Sequence, residues 1–334
     1  MFSKNRFRIQ PILLAAGFVL ATGLGCNNAA AGNKQPAAPP PVKNVAITNV
    51  PPAAGAPDTR RPKFDSKNAF DLLVKQCDFG PRPVGSAAHA KLRDYLMAEM
   101  KKYADKTVAQ DFTYKGMPLT NVIGVFNPEA KRQVLLCGHW DTRPTADNEI
   151  DAVNRKKPIL GASDGASEIA VLLELARNFK EQKPDVGVII VLLDGEDYGD
   201  FEKDEGVFLG AKYFAKNHEG YNPEFGILID MVGDKNLDIY REVNSQNYAP
   251  GTNDKVFRIA RELGFGKNII DQLKTNVSDD HFALNRAHIP TIDLIDFNYG
   301  AWHTLDDTPD KCSAESLGIV GNLLAEVVYR EKGK

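Results

Sequence analysis

The chain has 334 residues, 43% hydrophobic and 25% charged, the composition of a globular protein with one large core rather than of a disordered chain. Its formal net charge of −3 and pI near 6.1 supply no basic field to neutralise phosphates. Nucleic acid is therefore excluded as the expected partner, and a small neutral or peptide substrate fits better.

Residues 1–25 place Lys4, Arg6 and Arg8 before the apolar run Ile12, Leu13, Leu14, Phe18, Val19 and Leu20, then reach Gly25 and Cys26. This is the layout of a secretory leader, too short and too interrupted for a membrane span. Leu24-Gly25-Cys26 resembles a bacterial lipoprotein cleavage site, although Gly23 stands where that pattern prefers a larger aliphatic residue. Lipid attachment and plain secretion both stay open, and either makes the protein exported, periplasmic or secreted. Residues 26–62, dense in Pro, Ala, Asn and Gly, cannot bury a core and read as a tether. A single domain follows over 63–334, with a monomer as the simplest assembly. Of the four cysteines, Cys77, Cys137 and Cys312 fall in it, so at most one disulfide forms there; Cys137 lies in an apolar run and reads as a buried small hydrophobe.

Apolar spacing predicts helices over Ala69–Cys77 and Ala87–Tyr103, separated by the turn-rich Gly80-Pro81-Arg82-Pro83. Short Val- and Ile-rich runs then predict strands over Asn121–Phe126, Val134–Cys137, Val186–Leu193, Phe225–Ile229 and Thr291–Ile295. They alternate with helical segments at 165–180, 207–217, 252–264 and 313–331. The expected fold is α/β: a mostly parallel central sheet with helices on both faces.

The residues just after each strand carry the chemistry. Val134–Cys137 ends in Gly138-His139-Trp140-Asp141, Val188–Leu193 in Asp194-Gly195-Glu196-Asp197, and Phe225–Ile229 in Asp230. Loops after the carboxyl ends of strands form the crevice of an open α/β sheet, so these groups are expected to converge. Asp164, within the small-residue stretch Gly161–Ser167, is either a helix cap or a ligand. Glu196 and Asp197 would be a solvated pair elsewhere, but after an apolar strand one can bind metal while the other moves a proton. Asp279-Asp280-His281 and Trp302-His303-Thr304 flank the apolar segment Ile289–Ile295. Nitrogen and oxygen donors without thiolate suit zinc with an open coordination position. Tyr198–Gly206 is a solvated loop, pocket wall or lid.

This ordered series resembles the glutaminyl cyclases, relatives of the zinc aminopeptidases, from about Phe70 to Arg330. The resemblance implies a zinc aminopeptidase-like α/β hydrolase-type sandwich in which Asp164, Asp197 and His303 hold one zinc ion and Glu196 is the acid/base. It also implies a hydrogen-bonded acid pair, Asp230 and Asp279, beside the reacting amide, with Trp302 and Trp140 lining the substrate pocket. Many relatives carry Glu where this chain has Asp197, which shifts the metal distance or the loop rather than removing the ligand. The implied activity converts N-terminal glutaminyl residues of peptides or proteins to pyroglutamyl with loss of ammonia. The alternative on the same scaffold is a two-zinc aminopeptidase, with His139 and Asp230 as second-metal ligands; a peptide-binding protein without activity is a third reading. Arg143 reads as a structural ion-pair partner rather than a substrate clamp.

Overall fold

The computed structural model describes residues 61–333, so the leader-like stretch and nearly all of the tether lie outside the described residues. The Arg61 guanidinium pairs with Glu326 at 2.7 Å. Two helices come first, α1 (Ser66–Cys77) and α2 (Ala87–Tyr103), each capped by the side chain before it: Asp65 accepts from the Lys67 and Asn68 amides, and Ser86 from that of His89.

The sheet is built from β1 (Lys106–Tyr114), β2 (Met117–Phe126), β3 (Gln133–His139), β4 (Gly187–Leu193), β5 (Pro223–Asp230) and β8 (Thr291–Ile295), in the order β1-β2-β4-β3-β5-β8. The four strands β4, β3, β5 and β8 run parallel, while β1 and β2 form an antiparallel hairpin and β2 pairs antiparallel with β4. Strand β1 escaped the sequence reading because KTVAQDFTY is half polar, as suits a partly exposed edge strand. Its two-residue turn, Lys115-Gly116, takes positive φ at both positions, the hairpin geometry that continues the strand twist. Two short strands, β6 (Ile239–Glu242) and β7 (Ile269–Thr275), pair separately and were also not foreseen.

The remaining helices are α3 (Ser167–Glu181), α4 (Leu209–Lys216), α5 (Val243–Tyr248), α6 (Pro250–Glu262), α7 (His281–Arg286) and α8 (Ala314–Arg330). Strand side chains alternate between faces. Val134, Leu136, Val188, Ile190 and Ile227 pack with α1, α2, α3, α6 and α8, whereas Leu135, Cys137, Ile189, Val191 and Leu228 meet Ala211 and Phe214 of α4 and Leu284 of α7. Helices therefore cover both faces, and the parallel strands read as continuous apolar runs because neither face meets water. Cys77, Cys137 and Cys312 are buried free thiols. Among the described residues no helix is long and apolar enough to cross a membrane.

Because β3, β4, β5 and β8 share one direction, their carboxyl ends open on one edge. Arg82 fixes the loops there. Fully buried, it donates to the carbonyls of Leu160 and Gly161, both at 2.7 Å, while its own amide donates to Thr142 Oγ1 at 2.8 Å. Gly161 sits at φ +65°, where a Cβ would fall 2.3 Å from Thr142 Cγ2, so no other residue fits this crossing. Arg82→Met should leave the buried Gly161 carbonyl and the half-buried Leu160 carbonyl without a donor and lower unfolding free energy by roughly 2–4 kcal/mol, measured by urea denaturation. A change under about 0.5 kcal/mol would show that the loops hold themselves.

Candidate metal centre and active site

Three segments supply the central cluster. Asp164 precedes α3, Asp197 follows β4 and His303 follows β8, yet His303 Nε2 lies 3.6 Å from Asp164 Oδ2 and 3.4 Å from Asp197 Oδ1. All three are buried. Asp164 Oδ2 and Asp197 Oδ2 have no hydrogen-bond partner, which is costly unless something else satisfies them. Two orphaned carboxylate oxygens beside an imidazole nitrogen are a donor set for zinc, with room for a fourth ligand. Burial opposes charge on His303, but the acids facing it, Asp197 first, push its pKa up to about 10. The cluster thus draws positive charge.

The backbone around it is held by carboxylates. Asp141 Oδ1 accepts from the amides of Gly195 at 2.8 Å and Glu196 at 3.0 Å, and Oδ2 from that of Asp197 at 3.2 Å, so one side chain grips the turn carrying both acids. Burial works to raise the pKa of Asp141, but His139 and these amides hold it below the ordinary carboxylate value. Asp307 accepts from Ser163 N at 2.8 Å and Asp164 N at 3.1 Å, fixing the other loop. Met231 and His303 adopt left-handed backbone at φ 49° and 54°, strain of about 1–3 kcal/mol each, which the surrounding contacts hold at the site.

Glu196 lies next to the cluster and opens into a cavity of about 1350 Å³ that Asp164, Asp197, Asp279, Trp302 and His303 also line. Burial, then the neighbouring charge of Asp197, raises its pKa well above the carboxylate norm, as a group that exchanges protons near neutrality requires. Asp230 and Asp279 are likewise raised, Asp279 to about 7 by burial and then by Asp230. The expected hydrogen bond between these two is replaced: Asp230 Oδ1 faces His139 Nε2 at 3.3 Å, and Asp279 accepts from the Asp280 amide. Behind them Asp280 and Asp293 are buried, and burial, then the charge of Asp279, raises both well above the carboxylate norm.

Trp302 lines the cavity, its ring 4.3 Å from that of His303 and 4.9 Å from Phe297. Trp140, expected in the pocket, is not there. It follows His139 at the strand end, and the two side chains point to opposite faces: Trp140 is fully buried, stacks on His89 at 4.2 Å and donates to the Thr120 carbonyl. The loop from Tyr198 to Gly206 is a cavity wall, closed on itself by the Asp200–Glu205 pairing and presenting Phe201 6.3 Å from the His303 ring.

A second group surrounds His139, whose Nε2 lies 3.2 Å from Asp164 Oδ1, 3.2 Å from Glu168 Oε1 and 3.3 Å from Asp230 Oδ1. Sequence reasoning missed Glu168, although it stands in the first turn of α3, four residues after Asp164. Its oxygens already accept from Gly165 N at 2.8 Å and Ser167 Oγ at 2.9 Å, while His139 Nδ1 is buried without a hydrogen-bond partner. Asp147 was missed as well; it sits in a polar loop that reads as solvated, and its carboxylate faces His303 Nδ1 at 3.2 Å.

Residues 121–328 match the model of Peptidase family M28. Among solved structures the chain is similar to the Bacteroides thetaiotaomicron glutaminyl cyclase bound to N-acetylhistamine, with 40% identity and a TM-score of 0.78 over 81% of this chain and 100% of that one. It is equally similar to a leucine aminopeptidase precursor from the same organism, with 40% identity and a TM-score of 0.78 over 81% of this chain and 99% of that one. A glutaminyl-peptide cyclotransferase of Drosophila melanogaster is 24% identical over 298 residues, 79% of this chain and 80% of that protein.

The orphaned oxygens make metal binding measurable. Zinc at about 100 times its Kd should stabilise the domain by about 2.7 kcal/mol, read as a rise in Tm, and Asp164→Asn should remove most of that rise. An unchanged Tm in the unaltered chain would mean that the cluster takes no metal.

Proposed function

Since the chain belongs to peptidase family M28, we propose that it is a zinc-dependent glutaminyl-peptide cyclotransferase, closing the N-terminal glutaminyl residue of a peptide to pyroglutamyl with release of ammonia. The similarity to glutaminyl cyclases over nearly the whole folded region supports this reading. The observation that carries it is the pairing of one unsatisfied ligand set, Asp164, Asp197 and His303, with the high-pKa Glu196 inside one cavity.

Asp164, Asp197 and His303 would hold the zinc ion, which when bound polarises a carbonyl and stabilises negative charge on its oxygen. The chain's own groups do the rest. The apolar wall of Trp302, Phe297 and Ile295 receives the glutaminyl side chain and keeps water from competing as nucleophile. The peptide's α-amine attacks the γ-carbonyl carbon. Glu196 takes the proton that this nitrogen loses and hands it to the departing amide nitrogen, so one C–N bond forms, another breaks, and ammonia leaves. Asp230 and Asp279 both line the cavity with raised pKa values, from burial and, for Asp279, the charge of Asp230; a proton retained on this pair would orient the amide.

The second reading, a two-zinc aminopeptidase, is favoured by the His139, Glu168 and Asp230 group and by the likeness to the aminopeptidase precursor. Against it, Glu168 is committed to the first turn of α3, which supports one zinc ion rather than two. The leader-like residues 1–25 support export of the protein; finding it in the cytosolic fraction after cell fractionation would oppose that.

Incubation with a Gln-initiated peptide should give a product lighter by one ammonia, with stoichiometric ammonia release abolished by a chelator. A peptide one residue shorter, with a free amino acid, would establish the aminopeptidase instead. Glu196→Gln should retain zinc and lose roughly 10²–10⁴-fold in kcat; full activity in that variant would remove Glu196 from the mechanism.

A further inference from the structure

Two of the three residues proposed to hold zinc are themselves held by a single ion pair. Arg143 Nη1 donates to Asp197 Oδ1 at 3.1 Å, to the Asp197 carbonyl at 3.2 Å and to the Gly199 carbonyl at 3.3 Å. Its Nε and Nη2 donate to Asp147, the shortest contact being 2.7 Å. Asp147 Oδ1 in turn faces His303 Nδ1 at 3.2 Å. The series Asp197–Arg143–Asp147–His303 therefore links the loop after β4 to the loop after β8. The Phe201 ring covers the guanidinium at 4.8 Å.

Resting on the zinc reading above, we infer that Arg143 and Asp147 are positioning residues for the metal, a clasp that decides which atom of Asp197 and which atom of His303 face it. Arg143 engages Asp197 Oδ1, the same oxygen that lies 3.4 Å from His303 Nε2, and leaves Oδ2 of that carboxylate buried and without a partner. By engaging Nδ1, Asp147 turns Nε2 of His303 toward Asp164 and Asp197. Carboxylate contacts to the far nitrogen of a ligating imidazole fix its tautomer and ring orientation. The clasp also gives the shorter Asp197 side chain a defined place. Where a glutamate could reach by rotating an extra bond, the aspartate depends on its backbone, and Arg143 holds that carbonyl along with the carboxylate. Arginine suits this role because its planar fork spans several acceptors at once.

A purely structural ion pair would stabilise the apo fold and leave metal affinity unchanged, so the two quantities separate the possibilities. Zinc Kd is measured by competition with a chromophoric chelator, and Tm in excess chelator, for the unaltered chain and for Asp147→Ala, Arg143→Gln and Asp164→Asn. Both clasp variants should bind zinc about 10–100-fold more weakly, with the apo Tm of Asp147→Ala close to that of the unaltered chain. The Asp147 side chain is 43% exposed, so its removal leaves no buried void, and that variant decides the matter if Arg143→Gln does not fold. If the unaltered chain binds no zinc, the metal reading itself fails. If it binds zinc, Asp164→Asn abolishes binding and the clasp variants bind as the unaltered chain does, the clasp is overturned.

Discussion

Carboxylates crowded out of water at one edge of a sheet are the constraint on which the rest of this structure depends. Asp141, Asp164, Glu168, Glu196, Asp197, Asp230, Asp279, Asp280 and Asp307 are all buried around the ends of four parallel strands. An isolated buried carboxylate is costly by several kcal/mol, so each needs amides, a cation or a proton. The chain uses all three. Asp141 and Asp307 collect backbone N–H groups, Asp197 receives Arg143, and burial raises the proton affinity of Asp279 and Asp280. Some oxygens stay unpartnered among the described residues, on Asp279, Asp280 and Asp293 behind the cavity and on Asp164 and Asp197, the two acids that share the His303 imidazole as a neighbour.

The fold serves that arrangement. A parallel sheet with both faces covered delivers strand ends to a single edge, where groups distant in sequence become neighbours. The loops then need rigidity, and they obtain it from polar contacts rather than apolar packing. Arg82 locks the approach to Asp164, Asp141 locks the turn of Glu196, and Arg143 with Asp147 joins Asp197 to His303. Glu196 can keep an unusual proton affinity because its neighbours are fixed; a mobile turn would let it reach water and lose that property.

Much of this was legible in the sequence because strands buried on both faces are written as plain Val and Ile runs, and polar motifs stand at their ends. Asp197 was legible from its place after such a run, His303 from a motif flanking one and Asp164 from a small-residue stretch before a helix; the resemblance those motifs carry joined the three as a ligand set. Strand β1 was hidden by its half-polar edge pattern, β6 by its shortness and β7 by the polar, largely unburied run IIDQLKT. Trp140 was misplaced because adjacency to His139 in the chain is opposition in a strand, where neighbours point to different faces. Glu168 and Asp147 went unseen for different reasons. The first sits on a helix whose other residues are core, and the second in a loop whose composition is that of solvent-facing chain. Hydrogen bonding across loops leaves no periodic trace in sequence, so the groups that orient the site were harder to read than the groups that form it.

Anomalous diffraction at the zinc edge from crystals of the zinc-loaded protein tests the account most directly. It should show one peak per chain, bounded by Asp164, Asp197 and His303 and adjacent to Glu196. A peak seated at His139, Glu168 and Asp230 instead, or one at each cluster with equal occupancy, would contradict the single-metal centre on which the proposed chemistry rests.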